Sequence, residues 1–399
     1  MVFEGESVMK KFSVTSLGLL LALSVISTNS WALIFQFDGG GLPSDDFQIA
    51  ANWNDFAAGP DAVPGAGDRA IINDNFVVQH NTAVTTTLGS LIVGADWPVT
   101  GELGTDGTLN LSAGKIIVTG GGDNFQIARA RGAVVGDADG DGLIVITNAE
   151  LEISGSDPIV GTRDHGVLDV GLNGKVYNTP GNDNYWRLGN YGPSVDAGLE
   201  GNGLLDVHDN GTFNAHVIFI GDRDSTGELR VSDTGSVVLT GNLVARPSGF
   251  EAGGSAKVQM NGATATLSAF NLESESLVGE VPTLYEFNAD SLLGVSAIKL
   301  QDAINITNNE LVVNLNSFPL ANLSSILLFD GDQSLVGDRV FGTFASTTVS
   351  GGALGAQYSV VYDQAVGDIL LQRIPEPSTI LLFGLSLMFT AGARRRQSC

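Results

Sequence analysis

One pattern recurs between residues 107 and 265 and limits the folds open to this chain. "GVLDVGLNGKVY" starts at Gly166, "GLLDVHDNGTFN" at Gly203, "GELRVSDTGSVV" at Gly227 and "GSAKVQMNGATA" at Gly254. Each has Gly at the first position, an apolar residue two places on, Val four places on and a second Gly eight places on. The next inward position, ten places on, is Val176, Phe213, Val237 or Thr264. "GTLNLSAGKIIV" from Gly107 and "GLIVITNAELEI" from Gly142 are related, with a turn one residue shorter. Alternation of apolar and polar residues is the strand period. Leu229 and Val231 face one way; Glu228, Arg230 and Ser232 face the other.

The opening glycines are 35, 24, 37, 24 and 27 residues apart. A base period near 24 with occasional insertions accounts for these gaps. The two long gaps contain the loop-like stretches "GAVVGDADGDG" and "NYGPSVDAGLEGNG". A further short strand stands between units, as in "FQIA" at 125–128, "WRLG" at 186–189 and "NLVA" at 242–245. Three short strands in about 24 residues make one rung of a right-handed parallel β-helix, an all-β fold. A single rung leaves sheet edges and apolar surface exposed, and stacking buries both. A propeller blade would need about 40 residues and hairpins.

The flanks extend the strand-rich reading. "ANWNDFAAGPDAVPGAGDRAIINDNFVVQH" followed by "TTTLGSLIVG" resembles the entry region of autotransporter-like β-strand-repeat proteins, and Trp53 and Phe56 are candidate caps for the open end. The resemblance is to the passenger alone, because no segment here matches a translocator barrel. "SSILLFDG", "QYSVVYD" and "GDILLQR" read as closing strands. Asn288 to Gln301 reads either as a helix or as strand and loop.

Both termini carry addresses. "MKKFSVTSLGLLLALSVISTNSWA" has a Lys10-Lys11 n-region, a short apolar stretch from Val14 to Ile26 and small residues before a peptidase site. A signal peptide is expected over 1–32, with Met9 as the true start and signal-peptidase cleavage between Ala32 and Leu33. An uncleaved anchor is the alternative, and either form exports the body. The apolar run from Ile380 to Ala393 reaches some 21 Å as a helix, short of a hydrocarbon core of about 30 Å. Pro375 and Pro377 keep the junction before it extended, and Arg394, Arg395 and Arg396 would hold its far end at the cytoplasmic face.

"PEPSTILLFGLSLMFTAGARRR" resembles the PEP-CTERM sorting domain of Gram-negative bacteria, with the Pro-Glu-Pro motif, hydrophobic helix and arginine cluster in order. The resemblance implies recognition of Pro375, Glu376 and Pro377 by exosortase, a membrane-embedded cysteine protease, in cells that make exopolysaccharide. It implies a membrane-tethered precursor and then a cell-surface or extracellular product.

Charge and cysteine content narrow the function classes. The chain carries 44 acidic and 19 basic residues, and the body between the two termini retains 41 and 14 of them. Such a body repels phosphate backbones, so no nucleic-acid partner is expected. Cys399 is the one cysteine, and the body can form no internal disulfide. Stability must come from packing and hydrogen bonds, or from bound metal.

Two local patterns are candidate sites. Asp137, Asp139 and Asp141 alternate ahead of Gly142 like the first half of a Ca²⁺ loop, with Asn148 where a bidentate acid is expected. Residues after Gly142 read as strand, so a solvated acidic turn is the competing reading. Arg163-Asp164 and Arg223-Asp224 align at rung corners, with Arg129, Arg131, Arg187 and Arg246 in comparable places. Such a strip would either bind acidic polysaccharide or form a charge-neutralising ladder. His80, His165, His208 and His216 form no metal or catalytic motif.

The expected organisation is a signal peptide at 1–32, entry and capping strands at 33–106, repeat rungs at 107–267, a closing β region at 268–373 and the sorting signal at 374–399. The expected function is a non-enzymatic structural or adhesive protein of the envelope, matrix or biofilm, with exopolysaccharide as a partner. A polysaccharide lyase or glycosidase and a calcium-stabilised adhesin are the alternatives.

Overall fold

The computed structural model describes residues 33–374 except 41–44, 56–58, 96–104, 122–123, 130–139, 156, 163, 191–200, 223–224, 246–253, 275–280, 290–293, 316–324, 332–338, 352–356 and 365. The expected signal peptide and the tail from Pro375 to Cys399 therefore lie outside the described residues, as does Phe56. The chain divides into Met1–Ala32 and Leu33–Cys399, and the second unit is the one described below.

That unit is a parallel β-helix with three long sheets. The chain visits a first, a second and a third sheet in turn and then steps to the next rung. Asn202–Val207, Thr212–Ala215 and Val217–Ile220 make one such rung. Among the described residues ten strands form the first sheet, eleven the second and twelve the third. The parallel pairing extends on both sides of the recognisable repeats, from Phe76–His80 to Ser346–Ser350 in the first sheet.

The opening glycines stack in register: Gly107 with Gly142, Gly142 with Gly166, Gly166 with Gly203, and Gly203 with Gly227. The sixth unit differs from its apparent sequence alignment. Gly227 pairs with Ala256, not Gly254, and Val237 pairs with Leu267, not Thr264. Thr264 is exposed while Leu267 is buried. The two-residue slip between Gly254 and Ala256 preserved the strand period and so left no trace in the hydrophobic pattern.

The core is a stack of inward side chains. Leu109, Ile144, Leu168, Leu205, Leu229, Val258, Tyr285 and Leu311 follow one another through successive strands of the first sheet, all buried. A fully buried side chain of this size contributes about 1.5–3 kcal/mol relative to exposure. Trp186 is buried at mid-column, 4.8 Å from Phe213 and 5.6 Å from Phe125 between ring centroids. Its indole N–H donates to Asn178 Oδ1 at 2.8 Å, which satisfies the polar atom that burial would otherwise strand.

The sheets differ in how they meet their surroundings. First-sheet strands alternate buried and partly exposed positions. The third sheet is buried on both faces over its early strands, as in Phe125–Arg129 and Ile159–Thr162. Ile71 and Ile92 lie in register, both fully buried, in an apolar cluster with Ile34 that is separate from the column core. Near-continuous apolar runs are the mark of a parallel strand covered on both sides.

The two ends close with aromatic side chains. Trp53 lies in the short edge strand Trp53–Asp55, antiparallel to Ile34–Phe37, and packs edge-on against Phe37 and Phe47 with centroid distances of 5.3 and 4.8 Å. Its indole N–H donates to the Phe47 carbonyl at 2.8 Å. At the other end Phe329 packs against Tyr285 and Phe287, and Phe344 lies 6.4 Å from Tyr362. The hairpin Gln357–Asp363 and Asp368–Ile374 closes the second sheet by antiparallel pairing against Ser325–Gly331. Asn288 ends a strand and Ile298–Leu300 forms the next, so the described parts of 288–301 are strand and loop.

Candidate functional site

Regular rungs bring side chains from distant parts of the sequence into rows on the outer faces. On the first sheet, Arg230 reaches Asp206 at 3.1 Å and Glu228 at 3.0 Å. Lys257 spans Glu286 at 2.9 Å and Glu228 at 3.5 Å. An amide row continues it: Asn288 donates to Asn261 at 2.7 Å, Asn314 donates to Asn288 at 2.6 Å, and the Ser350 hydroxyl donates to Asn314 at 2.6 Å. Apart from Arg230–Glu228, which lies within one strand, each of these links joins one rung to the next.

The same face carries an acid cluster around His208. Asp169 and Asp206 are register neighbours. His208 Nε2 lies 2.8 Å from Asp169 and Nδ1 lies 2.9 Å from Asp209. Burial pushes the Asp206 carboxyl above the usual carboxylate range, against the pull of Arg230. Burial draws the His208 imidazole down, but its bonds to Asp209 and Asp169 outweigh that and leave it raised.

The second sheet carries a tighter set. Lys115 contacts Glu152 at 2.5 Å and lies 5.3 Å from the centre of the Tyr177 ring. Tyr177 donates to Glu150 at 2.9 Å, and Lys175 lies 3.3 Å from the same carboxylate. The hydrogen bond from Tyr177 depresses Glu150, and that from Lys115 depresses Glu152. Two depressed carboxylates make a charge ladder. Acid–base chemistry needs the two pKa values pushed apart.

On the third sheet the outer face opens into a groove enclosing about 490 Å³. Tyr185, Phe219 and Phe270 line it with His216, Thr240, Asn242 and Glu273. Tyr185 is 42% exposed and Phe270 40%. These three aromatics come from three separate rungs, and no local sequence motif joins them.

The acidic turn and the corner arginines are only partly described. Asp137, Asp139, Arg163, Arg223 and Asp224, with Arg131 and Arg246, lie outside the described residues. Asp141 and Asn148 flank the strand Gly142–Thr147, which at about 3.3 Å per residue holds them some 20 Å apart. Within the expected Ca²⁺ set of Asp137, Asp139, Asp141 and Asn148, the first two lie outside the described residues, and the strand keeps Asp141 and Asn148 from sharing one ion. The Asp141 N–H donates to Asp106 at 3.1 Å, and the Gly140 N–H donates to the Asp164 carboxylate. Asn148 instead accepts from Asn173 at 3.1 Å. Arg187 sits between Asp222 at 3.1 Å and Asp157 at 3.8 Å. No group of three or more His, Cys, Asp or Glu side chains arranged to hold a metal occurs among the described residues.

The other two histidines differ in their surroundings. His80 is fully buried, with Nδ1 3.0 Å from the Ala113 carbonyl and Nε2 3.1 Å from Thr86 Oγ1; burial lowers its pKa. His165 is exposed. Leu33, just after the expected peptidase site, donates its N–H to Asp68 at 3.2 Å and leads into the strand Ile34–Phe37.

Among the described residues no helix is long and apolar enough to cross a membrane. Comparison with curated proteins and with solved structures finds no match. Comparison with protein families finds the PEP-CTERM protein-sorting motif at residues 373–396. The matched segment begins within the last strand, Asp368–Ile374, and continues through Pro375, Glu376, Pro377, Arg394, Arg395 and Arg396. The chain thus carries the PEP-CTERM sorting motif on a parallel β-helix, and the motif implies an exported protein with a membrane-associated precursor that an exosortase processes.

Proposed function

We propose that this chain is a non-enzymatic structural or adhesive protein of the Gram-negative envelope, extracellular matrix or biofilm. After export it presents its long outer faces to exopolysaccharide or to neighbouring cells. The observation that carries this reading is the direct join between the column's last strand and the sorting motif at residues 373–396. A stiff column released from such a tail offers a repeated surface, and the acids on it are largely tied to cations or amides. Both Glu150 and Glu152 are held ionised beside Lys115 and Lys175, an arrangement suited to cohesion between rungs.

Polysaccharide cleavage is the second reading, and one observation favours it. Asp206 has a raised pKa and stands in register with Asp169, beside His208. Two neighbouring carboxyls, one of them with a raised pKa, are what glycosidases use. Against it, Arg230 pairs directly with Asp206 at 3.1 Å. Incubating the purified chain with a broad polysaccharide panel separates the two. The structural reading expects no new reducing ends and no unsaturated products; reproducible formation of either would replace it with catalysis.

A further inference from the structure

We infer that the groove on the third sheet binds an uncharged linear glycan, with Tyr185, Phe219 and Phe270 as stacking faces. This rests on the matrix reading above and names the site and ligand class for it.

The groove combines two kinds of surface. Tyr185 and Phe219 meet edge to face at 5.8 Å, and Phe270 stands 40% exposed. Val217 and Val244, nearly buried, also line it. Polar groups complete the lining: Asn242 donates to Glu273 at 2.5 Å, Asn271 donates to Asn242 at 3.2 Å, and His216 lies 3.0 Å from Thr240. These bonds hold amide, carboxylate and hydroxyl groups in place beside the rings. A pyranose has the complementary chemistry, with an apolar C–H face and hydroxyls around its edge. A wholly apolar ligand would strand the polar groups, and a small polar one would leave the rings in water.

The groove's direction favours a chain over a compact ligand. Phe219, Val244 and Glu273, which line the groove, are register partners in successive strands, with Arg187 next beyond Phe219. Strands are about 4.8 Å apart, so the lining row extends ~10 Å along the column. A linear polymer laid along the column meets one residue of the row per rung.

Charge selects the uncharged class. Among the described residues Glu273 is the one carboxylate lining the groove, and no described Lys or Arg lines it. Arg187, next in the row, is held by Asp222 and Asp157. The chain as a whole has a net charge of −25. An anionic polymer would meet repulsion with no cation among the described lining residues to offset it.

The test is binding of the purified full chain to cellohexaose and N-acetylchitohexaose, with polygalacturonate as the anionic comparison. The expected result is binding of a neutral oligosaccharide that persists in high salt. Tyr185→Ala and Phe270→Ala should each weaken it several-fold, and about tenfold together. Both side chains are partly exposed, so unfolding midpoints should stay unchanged; Val238→Ala, exposed on the second sheet, should leave binding intact. Three results overturn the inference: binding of neither neutral oligosaccharide, binding that both aromatic variants leave unchanged, or salt-sensitive preference for polygalacturonate. None of them touches the proposed matrix role, which falls instead on cleavage products or on retention of the protein inside the cell.

Discussion

Gly203 and Gly189 approach so closely that a Cβ on Gly203 would stand 2.2 Å from the Gly189 amide nitrogen. Gly189 itself has φ +74, where the chain turns out of the third sheet. The same pairing recurs between Gly166 and Gly161 at 2.4 Å and between Gly227 and Gly221 at 2.4 Å. The repeat's opening glycine is therefore fixed by the backbone of the preceding corner.

Gly203→Ala should destabilise the chain by about 1–3 kcal/mol or more, since the obstructing atoms are backbone and cannot swing away. Gly65→Ala is the control. Its Cβ would meet only Asp68 Oδ2 at 3.6 Å, and its effect should lie between neutral and a gain of about 0.4–1 kcal/mol. Denaturant unfolding of both variants checks the contrast.

Trp186→Ala should cost about 3–5 kcal/mol, because it opens a cavity between Phe125 and Phe213 at mid-column and leaves Asn178 without its donor. Circular dichroism during denaturation should show the loss. The exposed Val238→Ala should fall within about 0.5 kcal/mol of the parent.

The His208 cluster should make stability depend on pH in a definite direction. A raised folded pKa means the charged imidazole is favoured by the fold. Its contribution is complete below the unfolded value of about 6.5 and is lost as pH rises through the folded value. Facing carboxylates are Asp169, Asp206 and Asp209. His208→Gln should lower the unfolding midpoint at pH 5.5 and change it little at pH 9.

The second-sheet ladder should respond in the opposite sense. Glu150 and Glu152 have depressed folded values, so their contribution is present above the unfolded value of about 4.3 and fades as pH falls through the folded ones. Glu152→Gln should weaken the chain at pH 7, while at pH 2 it should match the parent. Midpoints across a pH series give the comparison.

The period-two pattern and the 24-residue spacing made the rung legible, because inward positions of a parallel β-helix repeat in sequence. Leu168, Leu205 and Leu229 fall on one face by their spacing from the opening glycines alone, and their strands pair in that register. The Gly254 alignment misled because Ala256 has the same parity and occupies the glycine's place. Spacing alone does not show why the second glycine recurs: Asp209 and Asn210 take the left-handed conformation of the turn, and Gly211 is needed because a Cβ would meet the Val170 carbonyl oxygen at 2.0 Å. The groove stayed hidden because Tyr185, Phe219 and Phe270 become neighbours only after the rungs are stacked. Asp141 and Asn148 matched a loop spacing that an intervening strand makes unusable.

The central claim is that the sorting motif delivers this column outside the cell and is then processed. Intact-mass spectrometry of the exported protein tests it most directly. The account predicts a chain that begins at Leu33 and has lost the apolar run with Arg394, Arg395 and Arg396. Recovery of exported protein that still ends at Cys399, or of a cell-internal chain that still carries residues 1–32, would contradict it.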